Sequence, residues 1–295
     1  MAKIAVELAG AVAQRQKAGF PGRTMPRLLA AGPGWTVQDV ICTCGPGDRP
    51  FEESHSGFSV AIVAAGTFQY KSSAGGGRSR RELMTPGAIL LGSPGQCFEC
   101  GHEHGYGDRC ISFWFDSPYF SHITGVDTHF NTLGLPPLKD FSAVVAAALA
   151  SYSDPANAEW EALGVKLAGK AAQLSARLEH RHDELLPSAE SRITRALRRV
   201  DGDLHSPLSL RDLAAEARLS PYHFLRLFEK VTGLTPHQFV RRARLRKAAT
   251  RLLESRETVL EIALDSGFAD VSNFNRAFRG EFGCNPRLFR SLRQR

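Results

Sequence analysis

Two similar patterns near the C-terminus, at residues 208–232 and 259–282, constrain this chain more than any other feature. In each, a short amphipathic stretch is followed by a tight turn and by a second stretch with apolar residues at three- and four-residue steps. This is the pattern of a helix-turn-helix unit, in which two short helices pack at a fixed angle. One such unit could arise by chance, but two in tandem favour a chain that places two helices in the major groove of DNA.

In the first unit, Ser209 is the expected N-cap of the leading helix. Ser220 followed by Pro221 predicts the start of the second helix, since serine caps and proline suits the first helical position. Phe224 and Phe228 have the spacing of inward-facing core residues rather than base-stacking ones. The residues left outside, which we predict to face DNA, are Tyr222, His223, Leu225, Arg226 and Lys230.

The second unit repeats this arrangement. Gly267 permits the sharp turn, Asp270 is the expected N-cap, and Phe274 and Phe278 face the core. Asparagine and arginine suit the major-groove edges of adenine and guanine, respectively, so the exposed residues of this helix are candidate base readers. The predicted DNA-facing set is Val271, Ser272, Asn273, Asn275, Arg276 and Arg279.

A basic stretch at residues 236–253 joins the two units and is predicted to be one helix. Its arginines, Arg242 among them, are expected to contact phosphates or to lie on a solvated surface. The charge of the whole chain follows the same division. Residues 187–295 carry 21 basic and 12 acidic side chains, whereas residues 1–186 carry 16 and 18. This distribution favours a near-neutral regulatory part followed by a part that binds a polyanion.

Residues from about 190 to 293 resemble the DNA-binding domain of the AraC/XylS family of bacterial transcription regulators. The residues that carry the resemblance are Ala214, Ser220, Gly233-Leu-Thr-Pro236, Ile262-Ala263, Ser266-Gly-Phe268, Asn273-Phe274, Arg276, Phe278 and Gly283-Cys-Asn-Pro286. The chain departs from the usual pattern at Asn273 and Asn275, which affects which bases are read. The resemblance implies a sequence-specific regulator that binds double-stranded promoter DNA, contacts RNA polymerase and forms a homodimer.

Residues from about 35 to 115 in the N-terminal part have a pattern typical of β-strands, with short apolar runs broken by glycine and proline. The family often carries a cupin-like effector domain there. We therefore expect fold class α+β, with a cupin-like β-barrel at residues 1–140, linker helices at 141–187 and the DNA-binding domain at 188–295. An apolar stripe at helical spacing on the second linker helix predicts either packing against the barrel or a dimer interface. The stripe comprises Leu163, Leu167, Ala171, Leu174 and Leu178.

Six cysteines are present, and five lie between residues 42 and 110. Thiolate and imidazole ligands together suit zinc or another soft metal. The predicted metal set is Cys97, Cys100, His102, His104 and Cys110. Further candidate ligands are Cys42, Cys44 and His55. Two other interpretations stay open: a redox-sensing thiol of low pKa, or cysteines that simply pack as small apolar residues.

Catalysis is not indicated by the sequence. Enzymatic cupins use a His-x-His pair, whereas this chain has Glu53-x-His55, with Cys97 near the later histidine position. The alternative to a regulator is a metal-dependent cupin enzyme fused to a DNA-binding module. No apolar run approaches the roughly 20 residues of a membrane helix. We therefore expect a cytoplasmic regulator, not an enzyme, that responds to an unidentified effector.

Overall fold

A computed structural model describes residues 2–73, 79–125, 129–177, 187–206 and 208–291. Its N-terminal part contains two antiparallel sheets. The larger has the strand order β1-β2-β9-β4-β7-β10, and the smaller has the order β3-β8-β5-β6. The strands are β1 (Thr24–Gly32), β2 (Trp35–Cys42), β3 (Phe51–Ser54), β4 (Phe58–Gly66), β5 (Phe68–Ser73), β6 (Ser79–Met84), β7 (Ile89–Gly92), β8 (Cys97–Gly101), β9 (Asp108–Phe115) and β10 (Gly134–Leu135).

The sheet-rich N-terminal part is as predicted, but among the described strands no hydrogen-bonded pair joins the two sheets into a closed barrel. The larger sheet runs from β1 at one edge to β10 at the other, and the smaller sheet has its own edges at β3 and β6. The two sheets are joined by packing, since Val63 and Leu90 of the larger sheet share a buried apolar cluster with Tyr70 of the smaller one. The strongly apolar strand β4 is buried along most of its length and lies at the centre of the larger sheet, between β9 and β7.

Helices surround the sheets and form the whole C-terminal part. They are α1 (Ala2–Ala18), α2 (Ser117–Thr124), α3 (Ser142–Ala150), α4 (Trp160–Ser175), α5 (Pro187–Gly202), α6 (Leu210–Glu216), α7 (Pro221–Thr232), α8 (Pro236–Glu254), α9 (Val259–Asp265), α10 (Val271–Phe282) and α11 (Pro286–Ser291). Within the described ranges, no helix has both the length and the apolar character needed to span a bilayer.

The apolar stripe of α4 packs into the core of its own chain. Leu167 and Ala171 are fully buried in the main cluster with the larger sheet, and Leu163 and Leu174 pack against that cluster. Of the two interpretations of this stripe, packing against the sheet is therefore the one that the structure supports for these four residues. Leu178 lies outside the described residues.

A buried network of charges and hydrogen bonds joins β2, β9 and α1. The guanidinium of Arg109, which is 1% exposed, donates to both carboxylate oxygens of Asp39 at 2.8 Å. The Tyr152 hydroxyl also donates to Asp39 Oδ1, at 2.7 Å, and Glu7 accepts from Arg109 at 2.6 Å. Asp39 lies on β2, directly opposite Ile111 of β9, and Arg109 lies on β9 as well. The charges of Asp39 and Arg109 are therefore on neighbouring strands of one sheet. Buried charges persist only when they are paired in this way.

The helix α1 and the strand β1 were not expected, since residues 1–30 lack a strong pattern. In the structure α1 covers the larger sheet through Ile4 and Leu8, which are 3% and 7% exposed. The strand β1 pairs with β2 at the edge of that sheet, with an irregularity between Leu28 and Ala30. Tertiary contacts hold both elements in place, and the alanine-rich sequence of α1 also favours a helix.

Candidate nucleic-acid interface

The first helix-turn-helix unit consists of α6 and α7. Ser209 and Asp212 form a capping box at the start of α6, and the Ser220 side chain accepts from the His223 N–H at the start of α7. Pro221 occupies the first turn of α7, as the sequence predicts. Arg218 lies in the turn with φ of 54°, a left-handed conformation that non-glycine residues adopt rarely.

The second unit consists of α9 and α10 and repeats this geometry. Thr258 and Glu261 form a capping box on α9, and Asp270 caps α10 by accepting from the Asn273 N–H at 2.7 Å. Gly267 has φ of 77° and lies against the Arg244 guanidinium, which an added Cβ would approach to 2.9 Å. A left-handed turn and a close neighbour together require glycine at this position.

Two phenylalanine clusters hold the recognition helices in place. Phe224 and Phe228 of α7 are fully buried, as are Phe274 and Phe278 of α10. The interpretation that these rings are core residues, and not platforms for bases, is therefore confirmed. Their burial fixes which face of each helix is left outside, because residues three and four apart share a face.

The residues predicted to face DNA lie on those outer faces. Leu225 and Val271 are half-buried, and the others are exposed: Tyr222, His223, Arg226, Lys230, Ser272, Asn273, Asn275, Arg276 and Arg279. Several of the exposed side chains already have partners within the protein, and the Ser220 hydroxyl lies 3.0 Å from His223 Nδ1. The Asn273 amide donates to Asp270 at 3.0 Å, and Arg226 donates to the Tyr222 hydroxyl at 3.3 Å. That these residues read bases stays a prediction.

A single cleft lies between the two units and is bordered by both recognition helices. Leu225 of α7 lines it on one side, and Asn273 and Arg276 of α10 line it on the other. Arg241 of the connecting helix α8 lines the same cleft. The cleft thus brings together groups from both units and from their connection on one surface, and three arginines line it: Arg241, Arg244 and Arg276.

Two arginines of the connecting helix α8 do not have the predicted role of phosphate contacts, because both are held by other parts of the protein. Arg242 donates to the Pro137 carbonyl at 2.9 Å and lies 3.5 Å from the carboxylate of Glu281. Arg246 is 3% exposed and donates to the Pro86 carbonyl at 3.0 Å. Both partners Pro86 and Pro137 belong to the N-terminal part. These two arginines therefore join the halves of the chain and are not available to phosphates.

Further basic residues of α8 are also held by the protein. Arg244 donates to the carbonyls of Leu204 and Ser206, between α5 and α6, and to that of Gly267 in the turn of the second unit. Lys247 lies 2.8 Å from a ring nitrogen of His205, and Arg251 pairs with Glu257 and Asp265. Arg241, in contrast, is exposed and borders the cleft. The sequence pattern could not separate these roles, because all of these residues are basic and lie on one helix.

The structure does not bring the five residues of the predicted metal set together. Cys97 is exposed at the start of β8, and Cys100 lies three residues further along that strand, so the two side chains point to opposite faces. Among the described residues, His102 alone of this set belongs to a group with metal-binding spacing, and its companions are Cys42 and Asp108. Cys42 is among the further candidate ligands that the sequence indicates, whereas Asp108 is not. The alternation of β9, which places Asp108 and Cys110 on one face, is the signal that could have found it.

The redox interpretation has little support from the buried thiols. Burial raises the pKa of Cys100 and of Cys110, which keeps both thiols protonated near neutral pH. Near them, a hydrogen bond between the Cys42 and Cys44 thiols raises the pKa of Cys42 and lowers that of Cys44 to about 7. Cys44 is buried, so its thiol is poorly placed to meet an oxidant.

Comparisons with known proteins agree with the C-terminal geometry. A family model described as "Helix-turn-helix domain" matches residues 213–291. The right origin-binding protein of Escherichia coli (strain K12) is 38% identical over 91 residues, which are 31% of this chain and 32% of that protein. The chain therefore spans about a third of the length of the first curated relatives that it matches.

Two further matches cover the same region. A solved transcriptional regulator from Chromobacterium violaceum, described as having an AraC-type DNA-binding domain, is 26% identical; the match covers 37% of this chain and 96% of that one, with a TM-score of 0.34. The HTH-type transcriptional activator AarP of Providencia stuartii is 32% identical over 91 residues, which cover 31% of this chain and 67% of that protein. With its two capped helix-turn-helix units and this match to most of a curated relative, the chain belongs to the AraC/XylS family of bacterial transcription regulators.

Proposed function

We propose that this chain is a sequence-specific regulator of transcription whose N-terminal part receives a signal and alters how the two recognition helices meet promoter DNA. The observation that carries the proposal is the cleft bordered by α7, α10 and Arg241. One rigid surface with two recognition helices suits two successive major-groove turns on one face of the duplex. The exposed polar and basic residues of α10 supply the donors and acceptors that base edges require.

The proposal is tested by selecting duplexes from a random pool with the full-length chain. We expect enrichment of a motif with two conserved blocks about one helical turn, or about 10 base pairs, apart. We also expect the affinity for that motif to fall steeply with salt, since released counterions accompany each phosphate contact. Failure to enrich any sequence, with equal binding to all duplexes, would contradict sequence-specific recognition.

The route for the signal is supported by contacts between the two halves. Arg81 of β6 donates to the buried carboxylate of Glu190 on α5 at 3.0 Å, and it also pairs with Glu103 of the β8–β9 loop at 2.9 Å. Leu83 of the same strand packs in the core of the first unit, and Ala146 of α3 packs in the core of the second. A change in the sheets would therefore reach both units directly.

The remaining features of the proposal follow from the family. We include a cupin-like role for the N-terminal sheets, an effector that is a small molecule, a metal or a redox signal, a homodimer on paired sites, contact with RNA polymerase, and action in the cytoplasm, where bacterial promoters are found. The C-terminal match to regulators favours this function over a cupin enzyme fused to a DNA-binding module.

Replacing Arg241 with alanine is expected to weaken binding to selected and random DNA alike. Arg241 is exposed beside the cleft on the connecting helix α8 rather than on a recognition helix, so we expect its guanidinium to contact phosphate rather than a base edge. Removal of one phosphate contact should reduce the slope of log affinity against log salt by about 1. Fluorescence anisotropy over a salt series measures both quantities.

Arg251→Ala is the matched control, because it removes the same charge from the same helix at a residue paired with Glu257 and Asp265. Its salt slope should remain that of the unmodified chain. Equal changes in slope for the two variants would show that net charge, and not the position of Arg241, determines the effect.

A further inference from the structure

The end of β2, the start of β9 and the β8–β9 loop bring three potential metal ligands together inside the N-terminal part. Single ligand atoms of Cys42, His102 and Asp108 all lie within 4.8 Å of one another. The three residues are 6%, 5% and 5% exposed, respectively. Cys42 and Asp108 are directly opposite in the β2–β9 register, so their side chains share one face of the sheet. The three ligands thus come from two paired strands and the β8–β9 loop.

Only one of the two ring nitrogens of His102 has a hydrogen-bond partner among the described residues. One ring nitrogen, Nε2, lies 2.8 Å from Asp108 Oδ1, while Nδ1 is buried and has no hydrogen-bond partner among the described residues. A buried polar atom without a hydrogen-bond partner is energetically unfavourable. A cation held by the group would replace the hydrogen bond between His102 Nε2 and Asp108 Oδ1, so that both atoms become ligands.

The Cys44 thiol lies next to Cys42, just outside the three residues whose ligand atoms are mutually within 4.8 Å. The Cys44 thiol is hydrogen-bonded to the Cys42 thiol, and Cys44 is itself 8% exposed. Gly107 allows the β8–β9 loop to approach, since an added Cβ there would lie 2.8 Å from the Cys42 carbonyl oxygen. Sulfur, imidazole and carboxylate donors together exclude the hard cations calcium and magnesium, which prefer oxygen alone. Four such donors suit the tetrahedral coordination of zinc.

We propose that Cys42, His102 and Asp108, with Cys44 as the fourth donor, bind a thiophilic divalent cation of the zinc class. The site is distinct from the predicted set in every residue but His102. Exposed Cys97 takes no part in it. Bound metal would tie the β8–β9 loop to the larger sheet, because His102 belongs to the loop and Cys42 and Asp108 belong to β2 and β9.

The site also lies beside the DNA-binding half. Glu103, next to His102, pairs with Arg81, which holds Glu190 of α5. Gly105 of the same loop packs against the guanidinium of Arg198 on α5. The metal would therefore act on the orientation of α5 through the loop. This regulatory consequence rests on the proposed function, whereas metal binding itself does not.

The test uses the full-length chain, stripped with a chelator and then titrated with Zn²⁺ against a chromophoric competitor, and separately with Co²⁺. We expect one Zn²⁺ per chain and an intense near-ultraviolet thiolate-to-cobalt band. His102→Gln and Cys42→Ser are each expected to weaken Zn²⁺ binding by more than about tenfold. Tenfold is the lower end of the loss for residues that only hydrogen-bond to a metal ligand. Cys97→Ser is the matched control and should bind as the unmodified chain does.

Substoichiometric Zn²⁺ and no thiolate band in the folded, unmodified chain would overturn the proposal without reference to any variant. Equal losses for Cys97→Ser and Cys42→Ser would also overturn it. Far-ultraviolet circular dichroism of each variant separates loss of the site from loss of the fold. Binding of selected DNA by the stripped and loaded chains is a separate measurement. Equal DNA affinity of the stripped and loaded chains would contradict the regulatory consequence alone, and failure of both the stripped and the loaded chain to select any DNA would count against the proposed function alone.

Discussion

Replacing Arg276 with alanine is expected to lower affinity for the selected DNA site by about 10- to 100-fold and to leave affinity for random duplex nearly unchanged. Arg276 is exposed on α10 and lines the cleft between the two units. An arginine that donates to both acceptors of a guanine contributes about 1–3 kcal/mol of discrimination, which the shorter alanine cannot supply. Competition binding with both duplexes measures the difference.

A second round of selection with the Arg276→Ala variant makes this test sharper. The preference at one base position should relax while the rest of the motif is retained. Arg49→Ala is a suitable control, because it removes an equal charge from an exposed position in the N-terminal part. If Arg276→Ala weakens selected and random DNA equally, Arg276 contacts phosphate and the assignment of base reading is wrong.

Replacing Asp39 with alanine is expected to reduce the free energy of unfolding of the N-terminal part by about 3–5 kcal/mol. The carboxylate of Asp39 accepts two hydrogen bonds from Arg109 and one from Tyr152, and both charged residues are almost fully buried. Without the Asp39 carboxylate, the Arg109 guanidinium keeps its hydrogen bond to Glu7 and its place over the Tyr152 ring. The guanidinium carbon lies 4.6 Å from the centre of that ring. Urea denaturation followed by tryptophan fluorescence measures the change.

Arg27→Ala provides the control for this network. Arg27 pairs with the same carboxylate at 2.9 Å, but its side chain is 62% exposed. Exposed ion pairs contribute about 0–1 kcal/mol, so this variant should unfold close to the unmodified chain. Similar losses for Arg27→Ala and Asp39→Ala would show that burial does not set the strength of the network.

The same network predicts a direction for acid unfolding. Burial alone would raise the pKa of Asp39, but hydrogen bonds from Arg109 and Tyr152 outweigh it and hold the pKa below its ordinary value. A carboxyl with a lowered folded-state pKa stabilises the fold above its unfolded-state pKa, and that contribution is lost as the pH falls through the folded-state value. The Asp39→Ala variant should therefore lose less stability than the unmodified chain between neutral pH and about pH 3.

Much of the C-terminal part could be predicted because its signals are local. Ser209, Ser220 and Asp270 cap the helices that the sequence assigns to them, and Gly267 occupies the predicted turn. Caps and turns depend on residues three or four positions apart, so the printed order of residues contains the necessary information. The apolar spacing of the phenylalanines was sufficient, in turn, to identify the outer faces of α7 and α10.

The metal ligands and the basic residues of α8 could not be assigned in the same way. Cys97 and Cys100 are neighbours in sequence, but the geometry of β8 separates them. Asp108 meets Cys42 only because β2 and β9 pair in one register across 66 residues of chain. A register is set by long-range packing, and a change of one residue would move every side chain to the opposite face.

The sequence by itself thus determined the tandem helix-turn-helix units, their caps and cores, and the family, since all of these follow from short-range periodicity and chain stereochemistry. The tertiary structure decided how the same residue types are used. Arg241 lies beside the cleft, whereas Arg242 and Arg246 hold the sheets to α8. It also decided that the sheets stay open and that Cys42, His102 and Asp108 meet. Those outcomes depend on burial and strand pairing between distant segments, which local sequence patterns do not encode.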